Sequence, residues 1–340
     1  MTKPGFSACA VGALLVCTGC GPRSGGDQAD GPPTERSFRD VQARTAWTRG
    51  GTESDTTLLA PVSLVADARH VYALDPAGSR VVALFAADGS TAWTAGGAGS
   101  GPREFRAPSA LALSPLDEVI VADPTNNRIT VLSRQGEFRG TVPLRGIGHP
   151  LSLCPQADSS IVVSLLTTGE FPVVRIARSG AIVQRFRLPW PDLHHVSALA
   201  VQSEAAALPD GKGCVLALAL GRGFARLEAD RFGPPHAYVE SMELPVPEMT
   251  ELHGRPMQRL PKEQSAARGA FVVADHLIVP FGGTSADAGR IEDVYDARSG
   301  QYLYTHRLPF WSARTALAGQ RSYHLMTVDG YPVIRAVDRS

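Results

Sequence analysis

Residues 101–138 read GPREFRAPSALALSPLDEVIVADPTNNRITVLSRQGEF and carry the clearest structural pattern in the chain. Short β-rich runs, such as Val119–Ala122 and Ile129–Leu132, alternate with segments rich in Pro, Asp, Asn and Gly. The runs favour strands, and the residues between them favour tight turns. Because no segment shows a sustained apolar period of 3.6 residues, the pattern predicts an all-β domain.

The same pattern occurs once earlier in the chain. Ala60–Leu64 matches Ala107–Leu111 after 47 residues, and Val71–Pro76 matches Val119–Pro124 after 48 residues. A repeat period in the forties is typical of the blades of a β-propeller. The two segments are therefore interpreted as successive blades.

The second copy carries a specific motif. Gly101–Phe105, Ala107-Pro108, Val121–Ile129 and Gln135–Phe138 together closely resemble the NHL repeat. The resemblance rests mainly on residues 54–144, since later segments keep only the rhythm of the strands. It implies an NHL-like propeller.

Polar residues of this motif occupy the turn after the second strand of each copy. In NHL-like blades such residues mostly cap the turn and connect neighbouring blades, whereas a metal or phosphate site is the alternative. Asn and Asp suit turns because their side chains bond nearby backbone groups. The residues concerned are Asp75, Arg80, Asp123, Asn126, Asn127 and Arg128.

Later blades are recognised by their last hairpin. Ser179-Gly180 and Ser299-Gly300 each precede a Leu-Pro pair by the same distance, and Cys214–Leu220 is predicted to be a buried strand. The last segment supplies three strands only. Because Thr45–Gly51 repeats the outer-strand sequence Thr91–Gly97, we expect the N-terminal strand to complete a sixth blade and close the ring. The predicted six-bladed β-propeller spans residues 37–340.

The first residues have the layout of an export signal. Residues 1–19 contain Lys3 and an apolar run that is too short to span a bilayer. Thr18-Gly19-Cys20 resembles the lipobox of bacterial lipoproteins, which implies lipidation of Cys20 and anchoring to a membrane at its periplasmic or extracellular face. Cys17 stands where that family usually has Leu, so an ordinary cleaved signal remains the alternative. Residues 20–36 are predicted to be a flexible tether.

The charge balance limits the choice of partners. The formal net charge is +0, so no overall field draws in nucleic acid or anionic lipid. Export also argues against RNA binding, which some NHL propellers perform. We therefore expect no nucleic-acid partner.

Propellers usually bind ligands on the face that carries the connections between blades. Candidate binding residues on that face are Arg103, Arg145, His149, Trp190, His194, His195, Arg222, Arg290 and Trp311. The long connection 246–268 is predicted to be an insertion, because long ordered loops are often functional. An unconstrained surface loop is the alternative.

Neither a metal site nor a catalytic group is evident. The nine histidines show no ligand spacing, and the predicted first strands, 62–66, 109–113, 151–153 and 198–201, are mostly apolar or small. Ser109, Ser152 and Ser197 lie on first strands without a nucleophile elbow, and we expect them to face a solvated funnel. We expect no cofactor, no metal and no catalytic residue.

Cys154 and Cys214 are the two cysteines outside the signal. The compartment permits a disulfide, but the sequence does not give the separation of the two residues. A disulfide and two buried free thiols both remain open.

These observations favour a non-catalytic binding or scaffolding module at the cell envelope. Its partner would be an envelope protein, a peptide or a glycan. A metal-dependent lactonase- or lyase-like enzyme is the alternative, because related propellers hold a metal in the central funnel.

Overall fold

The domain is built from short antiparallel strands. The computed structural model describes residues 35–167, 169–193, 202–240, 242, 248–252, 255–259, 265–283 and 285–339. Within these ranges, the helical elements are three single 3₁₀ turns, Pro76–Gly78, Pro124–Asn126 and Pro191–Leu193. No helix in the described part of the chain is both long enough and apolar enough to cross a bilayer.

Two strands, β1 (Phe38–Asp40) and β2 (Ala43–Gly50), precede the first complete blade. Blades 1 to 3 are four-stranded antiparallel sheets with their strands in chain order. Blade 1 contains β3 (Ser63–Ala66), β4 (His70–Asp75), β5 (Arg80–Phe85) and β6 (Thr91–Gly96). Blade 2 contains β7 (Ala110–Ser114), β8 (Glu118–Asp123), β9 (Arg128–Ser133) and β10 (Phe138–Pro143). Blade 3 contains β11 (His149–Pro155), β12 (Ile161–Leu166), β13 (Val173–Ile176) and β14 (Ile182–Phe186).

The second half of the chain forms three more blades. Blade 4 contains β15 (Ser203–Ala207), β16 (Cys214–Leu218), β17 (Gly223–Leu227) and β18 (Phe232–Ala237). A separate hairpin, β19 (Glu248–Leu252) and β20 (Arg255–Arg259), follows it. Blade 5 contains β21 (Phe271–Val273), β22 (His276–Phe281), β23 (Ile291–Asp296) and β24 (Tyr302–Arg307). Blade 6 contains β25 (Arg314–Ala318), β26 (Arg321–Val328) and β27 (Tyr331–Arg339).

The N-terminal strand closes the ring. β2 pairs antiparallel with β27 and is the outer strand of blade 6, which confirms the sequence prediction. β1 pairs in parallel with β24 and adds a fifth strand to blade 5, which was not predicted. The N-terminal segment from β1 to β2 therefore protects two outer edges, those of blades 5 and 6.

The repeated tryptophan explains why the outer strand of blade 1 resembles β2. The indole Nε1 of Trp47 donates to the carbonyl of Ala86 at 2.9 Å, and that of Trp93 donates to the carbonyl of Arg134 at 2.8 Å. Each ring lies on a hairpin glycine of the next blade, Gly89 or Gly136, with φ of 73° and 81°. A Cβ at these glycines would lie 2.5 Å and 2.7 Å from ring atoms, so both glycines are required.

Apolar clusters fill the seams between neighbouring blades from blade 6 round to blade 5. The seam between blades 5 and 6 instead buries polar groups. Glu292 of β23 is fully buried and pairs with Arg339 of β27, while His324 of β26 is also fully buried. Five seams are thus packed with aromatic and aliphatic side chains, and the sixth is stabilised by charges and hydrogen bonds.

The structure corrects the predicted inner strand of blade 4. The prediction placed it at 198–201, which lies outside the described residues, whereas β15 pairs with β16 from Ser203↔Leu218 to Ala207↔Cys214. The turn after β15 contains Gly211, with a φ of 65°. This turn fixes β15 as the neighbour of β16.

The boundaries of two other predicted segments also change. Within the predicted insertion, β19 and β20 form a hairpin, but Ser265–Arg268 belongs to the propeller: Ala266 N donates to Ala219 O at 2.7 Å and Arg268 N donates to Pro280 O at 2.8 Å. Arg36, predicted to end the tether, is held by Asp293 and Glu240.

Cys154 and Cys214 form a disulfide between blades 3 and 4, with a Cα–Cα distance of 6.4 Å. The bond joins β11 to β16, and the amide Nε2 of Gln156 donates to both sulfur atoms at 3.2 Å. Of the two alternatives that the sequence left open, the structure therefore contains the disulfide.

Candidate functional site

The first strands of the six blades line a central channel with a cavity of about 350 Å³. All six enter the channel from the face that carries the connections between blades. Small and aliphatic side chains form most of the wall within the described residues. The charged residues that line it are Glu204, Arg268 and Arg314.

These three residues lie at one end of the channel. Arg314 begins β25, Glu204 is the second residue of β15, and Arg268 lies three residues before β21. Each therefore stands where an inner strand enters the channel. We call Glu204, Arg268 and Arg314, with the adjacent Trp311, the channel mouth.

Arg314 connects four blades across this opening. Its Nη1 donates to Glu204 Oε1 in blade 4 at 3.0 Å and to the Arg268 carbonyl, next to blade 5, at 2.8 Å. Its Nε donates to the Val62 carbonyl, beside blade 1, at 3.1 Å. Because the carboxylate of Glu204 neutralises it and two carbonyls fix its plane, Arg314 is a rigid part of the opening.

Arg268 has a different environment. Its Nε donates to Ser265 Oγ at 3.2 Å, and its guanidinium carbon lies 5.4 Å from the centre of the Trp311 ring. Within the part of the chain that the structure describes, no carboxylate lies within ion-pairing distance of it. Burial, and then the like charge of Arg314, lower the pKa of Arg268, although an arginine stays protonated.

The indole ring of Trp311 packs directly against Gly289. A Cβ at Gly289 would lie 2.4 Å from the indole Nε1, and Gly289 has a φ of 72°. Ser312 N also donates to Gly289 O at 2.9 Å. The loop between β22 and β23 therefore holds the indole in place, while 40% of Trp311 remains exposed.

The predicted binding residues are spread over the ligand face. Arg103, Arg145, His149 and Arg290 are exposed. Arg222 forms an ion pair with Asp192 at 2.6 Å between half-exposed side chains. The structure brings Trp311 of this set to the channel mouth, where its contact is Arg268.

Three residues of this set are not placed on the exposed face by the described structure. The ring of Trp190 is buried among the apolar residues between blades 3 and 4, so it contributes to packing and not to the exposed face. A tryptophan in a connection can pack inward as readily as outward, and the sequence does not show which. His194 and His195 lie outside the described residues.

The polar motif of blade 1 holds the incoming connection. Asp75 is fully buried and accepts hydrogen bonds from Leu59 N at 3.0 Å and Ala60 N at 2.9 Å. Arg80 Nε donates to the same carboxylate at 3.2 Å, and its Nη2 donates to the carbonyls of Thr56 and Thr57. These contacts satisfy backbone groups of the loop before the blade.

Blade 2 repeats the arrangement with a different partner. Asp123 accepts from Arg106 N and Ala107 N, both at 3.1 Å, and from Asn126 Nδ2 at 2.6 Å. Arg128 donates to carbonyls of the loop from Ser100 to Glu104 instead of to the aspartate. Asn127 occupies the left-handed turn position with a φ of 50°.

The serines of the inner strands connect blades. Ser109 Oγ donates to the Pro150 carbonyl at 2.8 Å, and Ser152 Oγ donates to the Ser203 carbonyl at 2.9 Å. Both residues line the channel, and each hydroxyl also bridges its blade to the next one. Ser197 lies outside the described residues.

The donor set of the channel does not fit a divalent cation. Glu204 is the one carboxylate among the described residues that line it, and it is already bonded to Arg314. Ca²⁺ and similar ions require several oxygen ligands. Across the described ranges, no group of three or more His, Cys, Asp and Glu side chains has a geometry that could hold a metal.

Sequence reasoning missed Glu204, Arg268 and Arg314. Arg268 was counted as the end of the insertion, and the inner strand that contains Glu204 was placed a few residues too early. The available signal was the start of the last blade, where Arg314 opens the run Arg314–Ala318.

Comparisons with known proteins support the fold. No family model and no curated protein matches the chain. Among solved structures, a protein from Bacteroides fragilis aligns with a TM-score of 0.54 at 10% identity, covering 88% of this chain and 95% of that one. The calcium-binding protein regucalcin from Agrobacterium tumefaciens aligns with a TM-score of 0.52 at 12% identity, covering 89% and 97%.

A third similar structure is virginiamycin B lyase from Staphylococcus aureus. It aligns with a TM-score of 0.47 at 11% identity, covering 80% of this chain and 78% of the lyase. The two alignments with TM-scores above 0.5 show similarity of fold alone at these identities. They assign no ligand or reaction to this chain.

Proposed function

We propose that this protein is an NHL-like bacterial lipoprotein that acts as a non-catalytic binding module at the cell envelope. In this proposal Cys20 carries the lipid, residues after it form the tether, and the propeller presents its channel mouth to an envelope protein, a peptide or a glycan. The sequence 1–20 supports export and anchoring, and the fold supports a rigid interaction surface.

The observation that carries the proposal is the pair formed by Trp311 and Arg268. An exposed aromatic ring and an adjacent arginine are the residue types that contribute most to binding energy at interfaces. Trp311 packs on Gly289, and Arg268 is bonded to the side-chain hydroxyl of Ser265, so little conformational freedom is lost when a partner binds.

The residues of the opening suit binding better than covalent catalysis. Glu204 is bonded to Arg314, and the hydroxyls of Ser109 and Ser152 donate to backbone carbonyls. A nucleophile needs an adjacent general base, and a general base needs a free acceptor atom. No described residue at the opening combines these properties.

A metal-dependent lactonase- or lyase-like activity was the alternative from the sequence. It requires several oxygen or nitrogen ligands directed into the funnel. Among the described residues that line the channel, Glu204 is the one carboxylate and none is a histidine, so the donor set gives this alternative no support.

Site-specific photo-crosslinking in living cells tests the proposal. The full-length protein is expressed in its native host with Trp311→p-benzoylphenylalanine and irradiated. We expect a discrete covalent adduct with an envelope component, because the new side chain stands where the partner would contact the channel mouth.

The matched control is Leu116→p-benzoylphenylalanine. Leu116 lies in the turn between β7 and β8, at the opposite end of the channel, and has the same exposed fraction as Trp311, 40%. The proposal predicts no adduct from position 116. No adduct from position 311, or equal adducts from both positions, would overturn it.

A further inference from the structure

The channel mouth contains one charge that nothing in the described structure compensates. Glu204 and Arg314 neutralise each other at 3.0 Å, which leaves the guanidinium of Arg268 without a carboxylate among the described residues. We propose that Arg268 binds an oxyanion, a carboxylate or a phosphate, carried by a small ligand that enters the channel. This inference deepens the proposed function and rests on it for the location of the ligand.

The guanidinium of Arg268 is already fixed in position. Its Nε is bonded to Ser265 Oγ, its Cζ lies 5.4 Å from the centre of the Trp311 ring, and its backbone carbonyl accepts a hydrogen bond from Arg314. In the described part of the chain, its Nη1 and Nη2 have no hydrogen-bond partner. The two terminal nitrogens therefore remain as a pair of donors on a positioned group.

The environment makes an uncompensated charge at Arg268 costly. Arg268 is half-buried, and the nearby cation Arg314 adds repulsion. A partly desolvated cation without a counter-ion is unfavourable, and an anion that enters the opening would offset both effects. The same anion would leave the pair formed by Glu204 and Arg314 intact.

The chemistry of the donors selects the ligand class. Two parallel N–H groups of a guanidinium match the two oxygens of a carboxylate or phosphate, and such bidentate pairs are stronger than neutral hydrogen bonds. The cavity of about 350 Å³ is at the small end of the range for ligand pockets, so the body of the ligand is comparable in size to one sugar ring. The indole of Trp311 offers a flat surface beside the charge.

Calorimetric titration of the full-length protein in detergent tests the inference. The probes are D-glucuronate, glucose 6-phosphate and glucose, which share a ring and differ in the anionic group. We expect saturable binding of at least one of the two anionic sugars and at least about tenfold weaker binding of glucose, since tenfold corresponds to 1.4 kcal/mol. The preferred anion identifies the head group as a carboxylate or a phosphate.

Two substitutions at the site and one control complete the experiment. Arg268→Gln is expected to weaken binding of the preferred anion at least about tenfold, and Arg268→Lys to weaken it less because the charge is kept and the paired donors are lost. Arg69→Gln removes an exposed arginine at the opposite end of the channel, in the turn between β3 and β4, and is expected to bind like the wild type. Melting temperatures check that each variant is folded.

Each result decides the inference. The inference would be overturned if neither anionic sugar showed saturable binding. It would also be overturned if Arg268→Gln bound the preferred anion as tightly as the wild type. If Arg268→Gln does not fold, wild-type affinity in a folded Arg268→Lys would overturn it instead. Anion binding without any crosslinked partner would leave the site standing and remove the envelope-module proposal. Crosslinking without anion binding would support the envelope-module proposal and remove the anion site at Arg268.

Discussion

Buried aspartates are the residues of the repeat that do most to shape the connections between blades. Asp75 and Asp123 each accept two backbone N–H groups from the preceding loop. Arg80 is the third partner in blade 1, whereas Asn126 is the third partner in blade 2. The buried aspartate can thus take its third hydrogen bond from either an arginine or an asparagine. Blade 1 therefore keeps the turn although it lacks the Asn pair.

His324 is the buried titratable residue with the clearest effect on stability. Its Nε2 lies 2.8 Å from Ser322 Oγ, and its Nδ1 lies 3.3 Å from Ser312 Oγ. Burial lowers the pKa of His324 to about 4, although Glu292 acts in the opposite direction and Arg339 and Arg335 reinforce the shift. The folded protein therefore keeps this imidazole neutral.

The sign of the resulting pH dependence follows from proton uptake. In an unfolded chain a histidine has a pKa of about 6.5, so between pH 6.5 and 4 the unfolded chain binds a proton that the folded chain does not. Stability is thus complete above about pH 6.5 and falls as the pH is lowered, by up to about 1.4 kcal/mol per pH unit. We expect urea unfolding at pH 7, 6 and 5 to show this slope in the wild type and a smaller slope in His324→Gln. Equal slopes in the two proteins would contradict it.

Glu292 affects a lower pH range. Burial acts to raise its pKa, but Arg339 and His306 outweigh burial and lower the pKa to about 2. Its contribution is present above the ordinary glutamate pKa, about 4.3, and is lost as the pH falls toward 2. Between pH 7 and 5, the pH dependence of stability therefore reports on His324 and not on Glu292.

Among the elements, β1 was the strand that the sequence did not predict. Three residues, Phe38–Asp40, carry no repeat signal, and their parallel pairing with β24 depends on contacts far along the chain. Arg36 provides those contacts: Nε and Nη2 donate to Asp293 at 2.9 Å and 3.0 Å, and Nη1 donates to Glu240 at 2.7 Å. A short strand of this kind is defined by tertiary pairing and not by local preference.

Arg36→Ala tests the importance of this attachment. Asp293 is fully buried, and removing its cation leaves an uncompensated charge, so we expect a loss of about 3 kcal/mol or more in the free energy of unfolding. The matched control is Arg44→Ala, since Arg44 forms its ion pair with Asp338 from a side chain that is 84% exposed. That change is expected to cost less than about 1 kcal/mol in urea unfolding. Equal effects of the two substitutions would contradict the assignment.

The disulfide joins elements of two blades, β11 and β16. It closes a loop of 60 residues, so its removal in the double variant Cys154→Ala, Cys214→Ala is expected to cost about 2 to 4 kcal/mol. Mass spectrometry after alkylation of the denatured, unreduced protein gives a direct check. Two alkylated thiols at positions 154 and 214 would contradict the bond.

Strands that belong to the repeat could be predicted from the sequence, and the residues of the channel mouth could not. β3 to β10, the last hairpins of blades 3 and 5, and closure by β2 all follow from repeated sequence, and all are confirmed. Glu204, Arg268 and Arg314 come together because six strands converge, and no local pattern records that convergence. The inward packing of Trp190 is a tertiary result of the same kind.

For the whole molecule, the proposed anchor is the first property to test. Cys20→Ala is expected to abolish labelling by an alkyne analogue of palmitate and to release the protein from the membrane fraction, because the cysteine thiol is the proposed acceptor of the lipid. The matched control is Cys17→Ala, three residues earlier, which is expected to retain both properties. Labelling that persists in Cys20→Ala, or release of both variants, would contradict the anchor.

The whole propeller combines a rigid ring with a charged opening. Apolar seams, a polar seam between blades 5 and 6 and an N-terminal segment that covers two edges hold the ring. Arg314 spans the opening, and Trp311 and Arg268 stand beside it. We propose that arginines, and not a metal, organise this opening for binding.

Metal content measured by mass spectrometry distinguishes an opening organised by arginines from one that holds a divalent ion. The full-length protein is purified without chelator and without a histidine tag, and metal is counted per chain. Because the channel offers Glu204 alone as a carboxylate among the described residues, we expect less than about a tenth of a metal ion per chain. Close to one divalent ion per chain, retained through gel filtration, would contradict the claim and favour a metal-dependent enzyme.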